Sequence, residues 1–462
     1  MARTKKGTQG KKDSHDLSEK TEHGTKDSKA SASEGQHCTE EQKRSSKYTL
    51  PAMAANQAAF SYGNNVAPQF FSYYIIRLGG NAFHLGLMQA FQFLFTNGLQ
   101  LPSAFLSDKM GKRIPFIVAG IGISALVFLL ITMFQDLWVI IILISIQAAA
   151  LSIYFPSWSA LVGDEISCAN RGTVLSEITE ASIVAGLMGS VTSFIFLMMS
   201  PGKSASSFIL PFIAGAASFF LAMIFIIAVK ENPMPRVTKA LNFKEVDSNF
   251  LYMTKVQWAY NFFMSISWPL FPLTVAKVLN ATNMQIAIIT MIVIISSAAF
   301  QPIAGKMLDR TGPVSLIQTT RFVFVLVPFV YAFSNDIFII YIWSIFEGVM
   351  SAFVNVAFIS YILDSSPPET RAEYFAYYNM GLGMVTFAGT FLAGAAVVYL
   401  QHAYPGWSLW YVLLVLYMVS GVGRLACSFL FLKLKNPMKF PSPPGQVAHA
   451  KMELVRYLRR KH

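Results

Sequence analysis

Between residues 50 and 432 the chain alternates long apolar runs with short polar turns. Twelve runs are laid out at about 50–76, 84–107, 114–133, 137–162, 172–199, 207–229, 248–277, 283–307, 314–333, 337–363, 371–400 and 408–432. A helix of roughly 20 apolar residues crosses the hydrocarbon core of a bilayer. An open sheet edge cannot sit in lipid, so the runs are read as helices. The pattern predicts an all-α integral membrane protein with 12 transmembrane helices. It breaks once, at 230–247 (KENPMPRVTKALNFKEVD), which divides six runs from six. The domain plan is therefore a polar tail at 1–49, a six-helix bundle at 50–229, a linker at 230–247, a second bundle at 248–432 and a basic tail at 433–462.

Composition supports this class. The chain is 54% hydrophobic and 13% charged, against about 25% charged in soluble domains. Its net charge of +12 does not point to nucleic acid, because the basic residues follow the turns. The N-tail, the turns at 107–113, 163–171, 306–313 and 364–371, the linker and the C-tail hold nearly all of them. Alternate turns hold few. By the positive-inside rule the rich face is cytoplasmic, with both termini on it. The N-tail lacks the apolar core of a signal peptide and reads as disordered. A plasma-membrane location and a monomer are expected. Cys38, Cys168 and Cys427 lie far apart and form no metal-binding pattern. No metal or other cofactor is expected.

The two halves repeat. The turn PSAFLSDKMGKRIPF at 102–116 returns as QPIAGKMLDRTGPV at 301–314. Asp108 and Gly111 recur at a shift of 201 as Asp309 and Gly312. At a shift of 200, Asp164 and Arg171 recur as Asp364 and Arg371, Asp136 recurs as Asp336, and Gln147 aligns with Glu347. Such a series points to two copies of one membrane-spanning half.

At these turns the chain resembles a major facilitator superfamily transporter. The family's loop pattern is approximately G-x-x-x-D-R-x-G-R-R. Here Asp108, Lys109, Gly111 and Arg113 match it, with Ala104 in place of the first glycine. The second copy keeps Gly305, Asp309, Arg310 and Gly312 but has Pro313 and Val314 after them. The Asp164…Arg171-Gly172 signature adds to the match. The resemblance covers about residues 50–432 and implies two bundles that alternate between inward-open and outward-open states. It makes these charges a cytoplasmic gate. Asp108 would meet the start of run 11 and Asp309 the start of run 5, where helix N-termini favour negative charge. Lys109, Arg113 and Arg310 could pair with Asp164, Glu165 or Asp364. The competing reading is that these charges only set topology.

Polar groups inside the apolar runs are costly and usually face protein or a water-filled path. Candidates along such a path are Gln57, Asn64, Gln89, Gln92, Gln147, Tyr154, Trp158, Asn261, Trp268, Glu347 and Asn355. The bland alternative is hydrogen bonding between helices. Glu347 lies near mid-run. Desolvation disfavours a charged carboxylate, so Glu347 is the candidate for proton coupling. Otherwise it pairs structurally, for instance with Arg321. Gly186, Gly189, Gly381, Gly383, Gly389 and Gly394 read as sites of close helix packing.

Amides and aromatics with little buried charge suit a small neutral or weakly charged organic solute. The expected function is secondary transport by alternating access, with a proton as the candidate coupling ion. The alternatives are a multidrug-type efflux antiporter, whose span-5 glycine–proline signature is absent here, and a non-transporting sensor on the same fold. Enzyme motifs such as G-x-S-x-G, H-E-x-x-H and a phosphate-binding loop are missing. The partners expected are a small-molecule substrate, the lipid bilayer and a coupling proton; nucleic acid is not.

Overall fold

The apolar runs form helices, as hydrogen bonding in lipid demands. The structure is a computed structural model that describes residues 40–165, 171–200, 202–229, 246–367 and 371–436. In chain order the helices are α1 (Glu40–Val66), α2 (Phe71–Arg77), α3 (Ala82–Gly98), α4 (Gln100–Met110), α5 (Ile114–Met133), α6 (Leu137–Glu165), α7 (Arg171–Met199) and α8 (Ile209–Ile227). The second half continues with α9 (Ser248–Ser267), α10 (Leu270–Leu273), α11 (Asn283–Val323), α12 (Leu326–Phe333), α13 (Ile337–Ser365), α14 (Arg371–Ala403) and α15 (Leu409–Phe431).

Eight stretches among the described residues are long and apolar enough to cross a membrane. The difference from the expected twelve has local causes. One stretch, Asn283–Phe333, takes in two expected runs, and Gly312 breaks its helix with φ 76° and ψ 166°. Runs 1, 2 and 7 are helical but interrupted, near Ala67, Leu99 and Trp268. The tail expected at 1–49 to be disordered is helical over 40–49, where α1 begins; the rest of it, and most of the linker at 230–247 and of the tail at 433–462, lie outside the described residues. Large apolar side chains such as Ile142, Met188, Ile224, Phe346 and Val422 are exposed. In lipid that is their favoured environment.

The described residues from Pro51 onward form one compact unit, and within it the packing repeats between halves. Helices α5 and α8 pack together, and so do α12 and α15; α3 packs on α6, and α11 on α13. Hydrogen bonds repeat as well. Gln57 Nε2 donates to Ser182 Oγ at 3.5 Å, and Asn261 Nδ2 to Thr386 Oγ1 at 2.5 Å. Both partners have moved by 204 positions. Ser218 Oγ donates to the Ala59 carbonyl, and Ser420 Oγ to the Phe263 carbonyl, each at 2.6 Å. Asp136 and Asp336 both accept backbone N–H bonds at a helix start. Capping boxes open α3 and α11, from Asn81 with His84 and from Thr282 with Gln285. The fold is thus two pseudo-symmetric helical bundles, joined mainly where α3 meets α14 and α7 meets α11.

The turn glycines repeat for a backbone reason. Gly111 has φ 65° and Gly312 has φ 76°, a region where a Cβ costs about 1–2 kcal/mol. A Cβ on Gly312 or on Gly305 would meet nothing within 4 Å. Gly312→Ala is therefore expected to lower the apparent melting temperature of purified protein, while Gly305→Ala leaves it unchanged. Equal melting temperatures for the two variants would remove the strain explanation.

Candidate functional site

Two breaks in the helices build the site. Proline has no N–H and fixes φ, so it interrupts a helix. Helix α1 ends at Val66, a short turn follows at Pro68–Phe70, and α2 resumes at Phe71. In the second half α9 ends at Ser267, and α10 starts after Pro269. The breaks fall at equivalent places in the two halves. Between them lies a cavity of about 390 Å³, within the range of small-molecule sites.

The first half lines it with Gln69, Ser72, Tyr73, Gln89, Gln92 and Phe93. The second half supplies Trp268, Phe271, Thr290, Tyr331 and Glu347. The rings of Phe93 and Trp268 meet across the halves with centroids 4.6 Å apart. Phe271 and Tyr331 are 4.3 Å apart. Gln89 Nε2 donates to Ser72 Oγ at 3.1 Å and to the Trp268 carbonyl at 3.5 Å. The carbonyl acceptor fixes which amide atom points there. Gln89 Oε1 is buried and has no hydrogen-bond partner.

Glu347 is half-buried on the cavity wall. Its charge interacts with Tyr73, Tyr331 and Arg424. Arg321 is placed elsewhere, which corrects the expected pairing. Its guanidinium lies 4.8 Å from the Tyr260 ring centroid and 4.5 Å from that of Phe358. Along α13 Glu347 and Ser351 are half-buried, whereas Asn355 is exposed. A polar stripe avoids lipid, so increasing exposure along it fits a path that widens toward the end of the molecule carrying Gly111 and Gly312.

Among the sequence candidates, Gln89, Gln92, Trp268 and Glu347 line the cavity. Gln57, Tyr154, Trp158 and Asn261 do not. Tyr154 is fully buried, stacks on Phe60 at 4.0 Å, lies parallel to Trp158 at 6.2 Å and donates to Gln57 Oε1 at 2.9 Å. Asn261 is spent on Thr386. Gln147 is fully buried, and both its amide atoms lack a partner. Asn64 is half-buried and, like Asn355, stands outside the cavity lining. Sequence reasoning missed Gln69, Ser72, Tyr73, Phe93, Phe271, Thr290 and Tyr331 as a group. The usable signal was proline inside an apolar run, at Pro68, Pro269 and Pro272.

The two halves are tied together at the end formed by the loops near 78–81, 202–204 and 279–282. Arg77 Nε donates to Asn283 Oδ1 at 2.9 Å, and its Nη2 to the Ala281 carbonyl at 2.5 Å. Lys277 Nζ donates to the Gly80 carbonyl at 3.1 Å. Asn283 N donates to the Gly202 carbonyl at 2.9 Å, and its Nδ2 to that of Ser204 at 2.8 Å. Lys203 Nζ reaches Asn280 Oδ1 at 2.5 Å. All of these join the two halves.

At the opposite end lie the repeated turns. Lys109, Asp309, Arg310 and Arg371 are exposed, and Gly111, Gly305, Gly312 and Asp364 are half-buried. Arg113 Nη1 donates to Ser107 Oγ at 3.0 Å. The side chains of Asp108, Asp164 and Arg171 lie outside the described residues. Asn379 Nδ2 bonds Gln100 Oε1 across the halves at 3.3 Å.

Solved structures share this fold. The nucleoside transporter NupG, solved as a point mutant, is 14% identical with a TM-score of 0.65, over 84% of this chain and 99% of that one. A D-xylose–proton symporter is 13% identical with a TM-score of 0.63, over 85% of this chain and 99% of that one. The staphylopine export protein of Staphylococcus aureus (strain Mu50 / ATCC 700699) is 26% identical over 102 residues, which are 22% of this chain and 25% of that relative. The family model of the Major Facilitator Superfamily matches twice, over residues 51–263 and 253–462. Two tandem matches on two equivalent bundles leave one conclusion: the chain is a multi-pass membrane protein that belongs to the Major Facilitator Superfamily of transporters.

Proposed function

We propose that the chain is a secondary transporter that carries a small neutral or weakly charged organic solute by alternating access, with the Glu347 cavity as its binding site. The observation that supports this reading is a cavity lined by both halves, which contacts tie together at one end. A solute held by both halves favours whichever arrangement brings both walls to it, and so shifts the equilibrium between states. The exposed motif residues Lys109, Asp309 and Arg310 would engage partners when the opposite end shuts. Those basic turns face the cytoplasm on this reading, with both termini beside them.

The named relatives include an exporter and a proton symporter, so coupling is read from the cavity. Glu347 is the proton carrier. It is the cavity's carboxylate, with Tyr73, Tyr331 and Arg424 within electrostatic reach. The test begins with a ligand found by thermal-shift screening, since a ligand that binds the folded state raises its melting temperature. Counterflow of that ligand in proteoliposomes is expected for a carrier, and its absence would leave a sensor. Glu347→Gln is expected to retain counterflow at saturating ligand but lose accumulation driven by a pH gradient. A mutant with the wild-type response to that gradient would remove Glu347 from coupling.

A further inference from the structure

We infer that the cavity selects a protonated amine carried on an aromatic or apolar body. This rests on the reading of the cavity as the substrate site and narrows its substrate class. Of the lining residues Glu347 is the one carboxylate, and no Lys, Arg or His joins it. Among the described residues its carboxylate makes no hydrogen bond or ion pair. The same cavity is lined by the rings of Tyr73, Phe93, Trp268, Phe271 and Tyr331. Ring faces attract cations, most strongly where water is excluded.

A second, independent group points the same way. Gln89 Oε1 is a buried acceptor with no donor, on a side chain 8% exposed. That oxygen is shut off from the cavity in this arrangement; a buried acceptor without a partner is costly, so turning the Gln89 amide toward a ligand N–H would be favoured. An ammonium supplies both the charge and the donors. A quaternary cation would satisfy Glu347 and the rings but not Gln89.

The competing account is that Glu347 only balances Arg424. Arg424 is 1% exposed, and its Nη atoms donate to the carbonyls of Phe324 at 3.0 Å and Met264 at 3.1 Å. It is not part of the cavity wall. It moderates the field of Glu347 without offering an anion anything to bind, while the carboxylate repels one.

The experiment uses three probes with one ring and different head groups. Equilibrium dialysis of purified full-length protein is run with radiolabelled 2-phenylethylamine, 2-phenylethanol and phenylacetate. The amine is expected to bind roughly tenfold or more tightly than the alcohol, with phenylacetate weakest. Glu347→Gln is expected to bring the amine down to the alcohol's affinity and leave the alcohol unchanged. Glu347→Asp, which keeps the charge, is expected to retain the preference, and it serves if the Gln variant fails to fold. Alcohol or phenylacetate binding as tightly as the amine would overturn the inference. So would an amine preference that survives Glu347→Gln. If the amine fails while the thermal-shift ligand binds and exchanges, the amine assignment falls and the carrier reading stands. If counterflow is absent as well, both fall.

Discussion

Gly86→Leu is expected to abolish transport. Helices α3 and α14 carry much of the contact between the bundles, and they touch at glycine. A Cβ on Gly86 would lie 2.5 Å from the Thr390 carbonyl oxygen and 2.8 Å from Gly394 Cα. A Cβ on Gly394 would lie 2.6 Å from the Ala82 carbonyl oxygen and 2.9 Å from Gly86 Cα. These obstacles are backbone, so no side chain can swing aside. A larger residue must push the bundles apart. Overpacking of this kind typically costs about 1–3 kcal/mol, and here the cost falls on the surface along which the bundles move. Gly122→Leu is the control. Its Cβ would meet Met223 Sδ at 3.4 Å, the end of a flexible side chain, and near-normal transport is expected. Transport rate and melting temperature check both variants. A Gly86→Leu protein that transports at the wild-type rate would show that the glycine contact is dispensable.

Arg77→Ala is expected to open the tied end. Arg77 donates to Asn283 Oδ1 and to the Ala281 carbonyl, across the halves. Hydrogen bonds to a charged group contribute roughly 1.5–3 kcal/mol each. Asn283 is fully buried and keeps its bond to the Ser204 carbonyl, but its Oδ1 loses the Arg77 donor. A loss of about 2 kcal/mol moves a two-state population about thirtyfold. Spin labels at Gln135 and Ala403, both exposed at this end, report it on a background without native thiols. The label distance is expected to lengthen in Arg77→Ala. An unchanged distance distribution would mean that the other loop contacts hold the end alone.

Helix content, the duplicated halves and the family were legible because each repeats a local rule. Gly111 and Gly312 mark positive φ, and Asp136 and Asp336 cap helices. Such requirements leave a residue type at a fixed offset. The cavity was legible only in part. Gln57 and Asn261 sit on polar stripes as Gln89 and Gln92 do, yet they bond within their own bundles. A stripe shows that a face is polar and not what it meets. Tyr73, Phe271 and Tyr331 look like any apolar-run aromatics until the breaks near Pro68 and Pro269 bring them to one space. That juxtaposition depends on contacts some 200 positions apart, which no local pattern encodes.

The bonds donated by Arg77, Lys277 and Lys203 end on backbone carbonyls and Asn side-chain oxygens. None of those acceptors titrates. Acidifying that compartment would not neutralise them, unlike a latch made of carboxylates. On the proton-coupled reading, a gradient then acts on this door through a titratable neighbour, His84, whose charge interacts with Lys277, and not through the bonds themselves.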